Sequence, residues 1–404
     1  MIYRPDYINS IAKFIDLPLV KILAGIRRCG KSTIMEMIKA ELMRRNIPAE
    51  RIIMRNYSGT DIDKNFTAKT MYQELKNLMS GKGKYYILLD ELQEIDGWEK
   101  AVNQLMEQGN ADIYATGSNS KLMSGEISTY LSGRYVSIPV YSLSFKEFIS
   151  FEESASGKEK YAAGNQTLLE KYIRLGGFPV VAAHSLDDRT AYQVVHDIYN
   201  AIVNRDIVRR HRISRQDLFA RTVKFIIDNM GKPFSANSIA KFLKSENRKI
   251  SVETIYNYLK WLQDAFIIYK CQRYDIMGKA VLKTQEKYYL ADHSLKYALM
   301  GYNGTMLPAV IENIVFMELM RRGYEVFIGK NKDKEIDFIA QRQDEKIYVQ
   351  ACVSIPQDSD REKANLLEIH DNYPKYIITL DPLYAGNADG IQIISLSDFL
   401  LGDF

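Results

Sequence analysis

An apolar run, Leu19-Val20-Lys21-Ile22-Leu23-Ala24, leads into Gly25-Ile26-Arg27-Arg28-Cys29-Gly30-Lys31-Ser32, and a helical pattern with Ile34, Ile38 and Leu42 on one face follows. A buried strand, a glycine loop and a helix in that order restrict the fold more than any other stretch of the chain. The glycines carry no Cβ, so the backbone can turn tightly around an anion and approach it closely. Successive N–H groups then point inward, and the helix that follows adds its positive end. The predicted phosphate cradle is Gly25, Ile26, Arg27, Arg28, Cys29, Gly30, Lys31, Ser32 and Thr33. In it, Lys31 is expected to reach the β- and γ-phosphates of ATP, and the Ser32 hydroxyl to hold Mg²⁺. The competing reading, a plain glycine turn, is disfavoured by a second motif.

That motif is Tyr85-Tyr86-Ile87-Leu88-Leu89-Asp90-Glu91, an apolar strand with two acids at its C-terminal end. Ligands of open α/β sheets bind at that end of the strands. Asp90 is expected to hold the Mg²⁺ shell, and Glu91 to orient and activate an attacking water. A third strand, Ala111–Thr116, runs into Gly117-Ser118-Asn119-Ser120. Asn119 and Ser118 are candidates to touch the γ-phosphate or the water, although such a run is also ordinary turn chemistry. Arg134, in Leu131-Ser132-Gly133-Arg134, is a candidate arginine finger, a guanidinium for the transferring phosphoryl group.

With these motifs the chain resembles a prokaryotic AAA-type P-loop ATPase family. The resemblance lies in Gly25 to Ser32, Leu89 to Gln93, Thr116 to Ser118, Leu131 to Arg134 and Leu143 to Phe148. It continues through Leu175-Gly176-Gly177-Phe178-Pro179 and the Arg205-Asp206 region, and so covers nearly the whole chain. It strengthens the Arg134 reading, and it implies a winged helix and a restriction-endonuclease-like fold after the ATPase.

Strand candidates Leu19–Ala24, Arg51–Tyr57, Tyr85–Asp90, Asp112–Thr116 and Tyr135–Val140 alternate with helical patterns. Such alternation predicts an α/β P-loop NTPase domain, a parallel sheet with helices on both faces. A strand interposed between the P-loop unit and the Asp90 strand fits the branch of these ATPases that carries a catalytic glutamate. The expected division is an ATPase domain over 1–155, a helical lid or connector over 156–214, a winged helix over 215–290 and a small, degenerate nuclease-like α/β domain over 291–404. Phe151–Gly164 reads as a boundary loop.

In the winged-helix region Ser235 is expected to cap a helix with Ile239, Phe242 and Leu243 inward. Ser251 is expected to cap a second helix, with Ile255, Leu259, Leu262 and Phe266 inward. Ile267-Ile268-Tyr269 and Lys287–Leu290 supply strands with a wing between. Lys241, Lys244, Arg248, Lys249 and Lys260 face only Glu246 and Glu253 over that span, a local basic excess suited to DNA phosphates. Winged helices also serve as protein contacts. From Pro308 the pattern reads helix, strand, strand, helix, strand. Glu312 fits the helix acid and Asp337 the strand acid of a nuclease core. Gln350 stands where a second acid belongs and Cys352 where a lysine belongs, which argues against metal-dependent cleavage unless Lys334 or Lys346 substitutes.

Charge is balanced, 54 basic against 50 acidic residues, so no global nucleic-acid signature exists. Cys29, Cys271 and Cys352 are far apart without metal spacing. Arg4, Asp6, Lys13 and Asp16 interrupt any leader pattern, and no apolar run spans a bilayer. A cytoplasmic protein without membrane contact is expected. The expected function is an ATP-hydrolysing switch that couples nucleotide state to DNA, a protein partner or further copies of itself. The alternatives are a nucleotide-gated scaffold with little turnover, an active Mg²⁺-dependent nuclease, and a small-molecule kinase.

Overall fold

A computed structural model describes residues 2–58, 66–123, 131, 133–157, 165–278, 280–332, 334–355 and 361–402. The chain forms two compact units, Met1–Ser142 with Asp264–Phe266, and Leu143–Gln263 with Ile267–Phe404.

The first unit runs α1 (Pro5–Ala12), β1 (Val20–Ala24), α2 (Lys31–Arg44), β2 (Ile52–Asn56), α3 (Ala68–Leu78), β3 (Tyr85–Asp90), α4 (Trp98–Glu107), β4 (Ala111–Gly117) and β5 (Tyr135–Pro139). The sheet has the order β2-β3-β4-β1-β5, and every pairing is parallel. The strands fall where the sequence places them. In sequence β2 comes between the P-loop and Asp90; in space it is β4 that separates β1 from β3. Alternate strand residues Val20, Ile22, Ile87, Leu89, Ile113 and Ala115 join Met71, Leu75, Val102 and Leu105 of α3 and α4 in one core.

The intervening residues point the other way. Among them Lys21 and Asp112 make an ion pair with both side chains fully buried. It is sustained by hydrogen bonds: Lys21 also donates to the Leu17 carbonyl at 3.0 Å, and Asp112 accepts from the Asp16 N–H at 2.8 Å and the Tyr114 hydroxyl at 3.1 Å.

The second unit opens with α5 (Phe145–Ser156), which starts on a capping box between Ser144 and Glu147. Phe145, Phe148 and Phe151 bury one face, so the helix continues through the start of the predicted boundary loop. Residues 158–164 of that loop and Ser132 lie outside the described residues. Helices α6 (Asn165–Leu175), α7 (Pro179–Ala183) and α8 (Asp188–Ala201) follow, and α8 passes into a π-helical stretch, Ile202–Arg209, that holds Arg205 and Asp206. The Gly176-Gly177 break is a close approach. Gly176 has φ +75°, a Cβ on it would lie 2.1 Å from an Asp292 carboxylate oxygen, and Gly177 N–H donates to Asp292 at 2.8 Å.

Next come α9 (Gln216–Asp228), α10 (Ala236–Ser245), α11 (Val252–Asp264), β6 (Ile268–Asp275), β7 (Ala280–Leu290), α12 (Ser294–Met300) and α13 (Leu307–Arg321). The chain closes with β8 (Glu325–Asn331), β9 (Lys334–Arg342), β10 (Glu345–Cys352), α14 (Arg361–Leu367), β11 (Lys375–Thr379), β12 (Gly386–Ala388), β13 (Ile391–Ser395) and α15 (Leu396–Leu401). Ser235 and Ser251 cap α10 and α11, and Ile239, Leu243, Ile255, Leu259, Leu262 and Phe266 are buried. Phe242 is not; it is 40% exposed and leans on Phe225.

The strands of this unit differ from expectation. β6 and β7 are long and belong to one mixed eight-stranded sheet, β12-β13-β11-β10-β9-β8-β6-β7, joined through parallel pairing of β6 with β8. The polar residues Lys270, Gln272, Arg273 and Asp275 of β6 and the polar run 283–287 of β7 concealed their length, and β8 was not foreseen.

Candidate nucleotide-binding site

The loop after β1 closes against its neighbours. Gly25 N–H donates to the Gly117 carbonyl at 3.3 Å, and a Cβ at Gly25 would lie 1.9 Å from the Val140 carbonyl oxygen. Arg28 and Gly30 turn the chain with φ 69° and 101°. Gly30 is the N-cap of α2 and supplies no side chain to it, which leaves the helix start able to serve an anion. Ile26 and Cys29 are buried; Ser32 and Thr33, in the first turn, are exposed, as is Arg28, while Arg27 is half-buried. The Lys31 ammonium is buried and donates to the carbonyls of Gly25 at 2.9 Å and Ile26 at 3.1 Å.

The acids stand at the end of β3. Asp90 accepts from the Thr116 hydroxyl and from the Asn56 amide, the latter at 3.1 Å. Glu91 sits in the left-handed region, φ 54° and ψ 45°, and its N–H donates to Thr116 Oγ1 at 2.9 Å. Its carboxylate Oε2 receives the Gln93 amide and, at 3.2 Å, the Ser118 hydroxyl. Burial pushes the Glu91 carboxyl up, but the Lys31 ammonium, the Gln93 amide, the Arg27 guanidinium and the Ser118 hydroxyl together hold it below the usual carboxylate range. The carboxylate is therefore ionised at neutral pH, close enough to feel two cations of the loop, Lys31 and Arg27. Gln93 Oε1 is buried without a hydrogen-bond partner. It lies where a Cβ on Gly117 would come, 2.5 Å away.

The predicted residues thus divide. Lys31, Asp90, Glu91, Ser118 and Asn119 are buried at or just beyond the C-terminal ends of the strands. Arg134 is exposed, and its carbonyl accepts from Val20 N–H at the start of β1. Strand rise puts that point roughly 13 Å along the sheet from Ala24, so the structure does not bring Arg134 to its own loop. Gln93, Asn56 and Thr116 take part without having been singled out. Gln93 closed a quoted motif, but its partner Ser118 lies on another strand end.

A second cluster lies in the eight-stranded sheet. Lys287 of β7 places its ammonium 2.9 Å from Glu312 and 2.8 Å from Glu335, and the Tyr289 hydroxyl donates to Glu312 at 2.6 Å. Asp337 accepts from Ala351 N–H at 2.8 Å, and Gln350 Oε1 accepts from Asp337 N–H at 3.2 Å. Burial and the neighbouring Glu312 push the Asp337 carboxyl well up, against the pull of Lys287. Burial also pushes the Cys352 thiol up, to about 11. Both lysines considered as substitutes have partners outside this cluster. Lys334 pairs with Glu368, and Lys346 lies over the rings of Tyr274, Tyr348 and Tyr373. Among the described residues no group of three or more His, Cys, Asp and Glu side chains is arranged to hold a metal ion.

Between α10 and α11, two charged residues have partners that the local sequence does not show. Arg248 pairs with Asp217, brought in by α9, while Glu246 is taken by Arg221 at 3.1 Å. No described helix is long and apolar enough to cross a membrane.

The model of an AAA domain matches residues 18–149, and a domain of unknown function (DUF8612) matches residues 166–305. An uncharacterized protein of Haemophilus influenzae is 38% identical over 402 residues, covering 99% of each chain. The uncharacterized protein MJ1544 of Methanocaldococcus jannaschii is 29% identical over 94% of this chain and 85% of its own. The Walker-type ATPase PABY2304 of Pyrococcus abyssi has a similar fold, with TM-score 0.51 and 15% identity over 74% of this chain and 96% of that one. The chain belongs to the same family as the Haemophilus influenzae protein, and its N-terminal part is an AAA-type P-loop ATPase domain, a nucleotide-binding fold.

Proposed function

We propose that the chain binds and hydrolyses ATP and uses the nucleotide state to control engagement of a partner. One observation carries the hydrolytic part. Glu91 follows Asp90 directly, is ionised, and is fixed through Oε2 by Gln93 and Ser118. A held carboxylate beside the cradle suits a base that orients water. Lys31 would exchange its two loop carbonyls for phosphate oxygens. Ser32 and Asp90 offer the hard oxygen donors that Mg²⁺ takes, and the ion would neutralise phosphate charge. Arg134, far from its own cradle, fits a role on the nucleotide of a second copy.

The partner reading is drawn from the capped helices α10 and α11. Tyr256 is 56% exposed on α11, and Lys249 and Lys260 lie nearby in sequence, a pattern suited to a nucleic-acid backbone. In the same reading the nuclease-like sheet serves docking, because Lys287 already answers the acids a metal would need. The test is ATP turnover with and without nucleic acid at low salt, alongside solution mass with and without nucleotide. Turnover stimulated by DNA and weakened by salt supports the coupled switch. Tight ATP binding with near-zero turnover under every condition supports the scaffold instead.

A further inference from the structure

Arg4 is among the largest fully buried side chains of the protein, and it lies outside every motif. Its guanidinium donates to the Cys29 carbonyl at 2.9 Å and to the Tyr141 carbonyl at 3.2 Å, and it stacks 4.5 Å from the Tyr7 ring centre. A charged group that deep persists only with such partners. The Tyr7 hydroxyl in turn accepts from Tyr141 N–H at 3.1 Å.

We infer that Arg4 is a positioning residue for the nucleotide cradle, fixing the Cys29–Gly30 peptide so that the Gly30 N–H faces the phosphate. A trans peptide is planar, with its C=O and N–H pointing in opposite directions. Arg4 holds the oxygen of this unit, so the Gly30 N–H is directed away from it. Gly30, at φ 101°, is flexible enough to let the peptide flip if that hold is lost.

The same guanidinium measures the cradle against the exit of β5. Val140 N–H donates to the Ala24 carbonyl at 2.7 Å, and the Val140 carbonyl fills the space beside Gly25. Arg4 then ties Cys29, at the far side of the loop, to Tyr141. Both ends of the cradle are thus set by the dipeptide Val140–Tyr141, just before the first unit ends at Ser142.

The inference rests on the reading of Gly25–Thr33 as the ATP cradle. Its test is a titration with fluorescent ATP analogue, with and without Mg²⁺, on the full chain carrying R4K, R4M or Y7F, together with kcat, KM and melting temperature. R4K keeps the charge but loses the planar fork that joins the Cys29 and Tyr141 carbonyls, and is the deciding variant if R4M does not fold. Loss of the hold on the Cys29 carbonyl should weaken ATP binding about tenfold in R4M and less in R4K, with kcat at saturation nearly unchanged. Y7F loses the hydroxyl that accepts from Tyr141 N–H, keeps the ring against Arg4, and should bind ATP as the wild type does. Folded R4K with wild-type affinity overturns the inference, and so does Y7F weakening affinity as much as R4K. K31A separates this from failure of the cradle reading: if K31A also binds normally, the cradle itself is wrong.

Discussion

The Lys31 ammonium lies 2.9 Å from the carbonyl oxygen of Gly25, six residues earlier in the chain. The loop is therefore held in shape by the same cation that a triphosphate would claim. K31A should weaken ATP binding about tenfold to a hundredfold, the worth of a charged hydrogen bond at ~1.5–3 kcal/mol. The protein should stay folded by circular dichroism. Unchanged affinity in a nucleotide titration would remove Lys31 from the site.

Glu91 should matter to turnover and not to binding. E91Q keeps shape and loses the basic oxygen, so turnover should fall by about 10²–10⁴ with ATP affinity retained. Phosphate release measured beside nucleotide binding decides this.

Gly117 gives an indirect test of the same carboxylate. A methyl there would meet Leu122 Cδ1 at 1.6 Å and Gln93 Oε1 at 2.5 Å. G117A should therefore displace Gln93 from Glu91 and cut turnover more than ATP affinity. Equal losses in both would mean that the whole strand end has shifted.

The Lys287 cluster predicts both a large stability effect and a pH trend. K287M leaves Glu312 without its ammonium, while Glu335 keeps Arg273, and should destabilise the protein by about 3 kcal/mol at pH 7, measured by urea melts. The trend comes from Asp337. Its folded pKa is raised by burial and by Glu312, so the native state holds a proton that the unfolded state releases near pH 3.9. That contribution is complete below the unfolded value and is lost as pH rises through the folded one. D337N should therefore gain stability relative to wild type as pH is raised from 5 to 8. A constant difference across that range would show that Asp337 does not titrate there.

Arg134 should separate binding from assembly. R134A is expected to bind ATP normally, since its backbone pairs at the opposite end of β1 from Gly25. Mixing R134A with E91Q should restore turnover if one copy acts on the other's nucleotide. No recovery at any mixing ratio argues against that role.

Much of the candidate site was legible because its parts are short and contiguous. Gly25 to Thr33 and Leu88 to Glu91 carry their chemistry within single segments, and the apolar runs before them mark the strands. One partner of the basic stretch over α10 and α11 was not legible, for the opposite reason. Asp217, which pairs with Arg248, is brought there by another helix. Likewise β6 and β7 were read only at Ile267-Ile268-Tyr269 and Lys287–Leu290, because a polar run such as residues 283–287 hides a strand's length until its partners are in place.

The sequence alone determined that a strand, a glycine loop and a helix follow one another near the amino end, because local backbone preference and covalent order settle that much. Only the tertiary structure decided which distant groups complete the site. Gln93 meets Ser118, Arg4 meets Cys29, and Lys287 meets Glu312 and Glu335. Each is a hydrogen bond or ion pair between residues on separate elements. Such pairings depend on sheet order and packing, which no periodicity along the chain records.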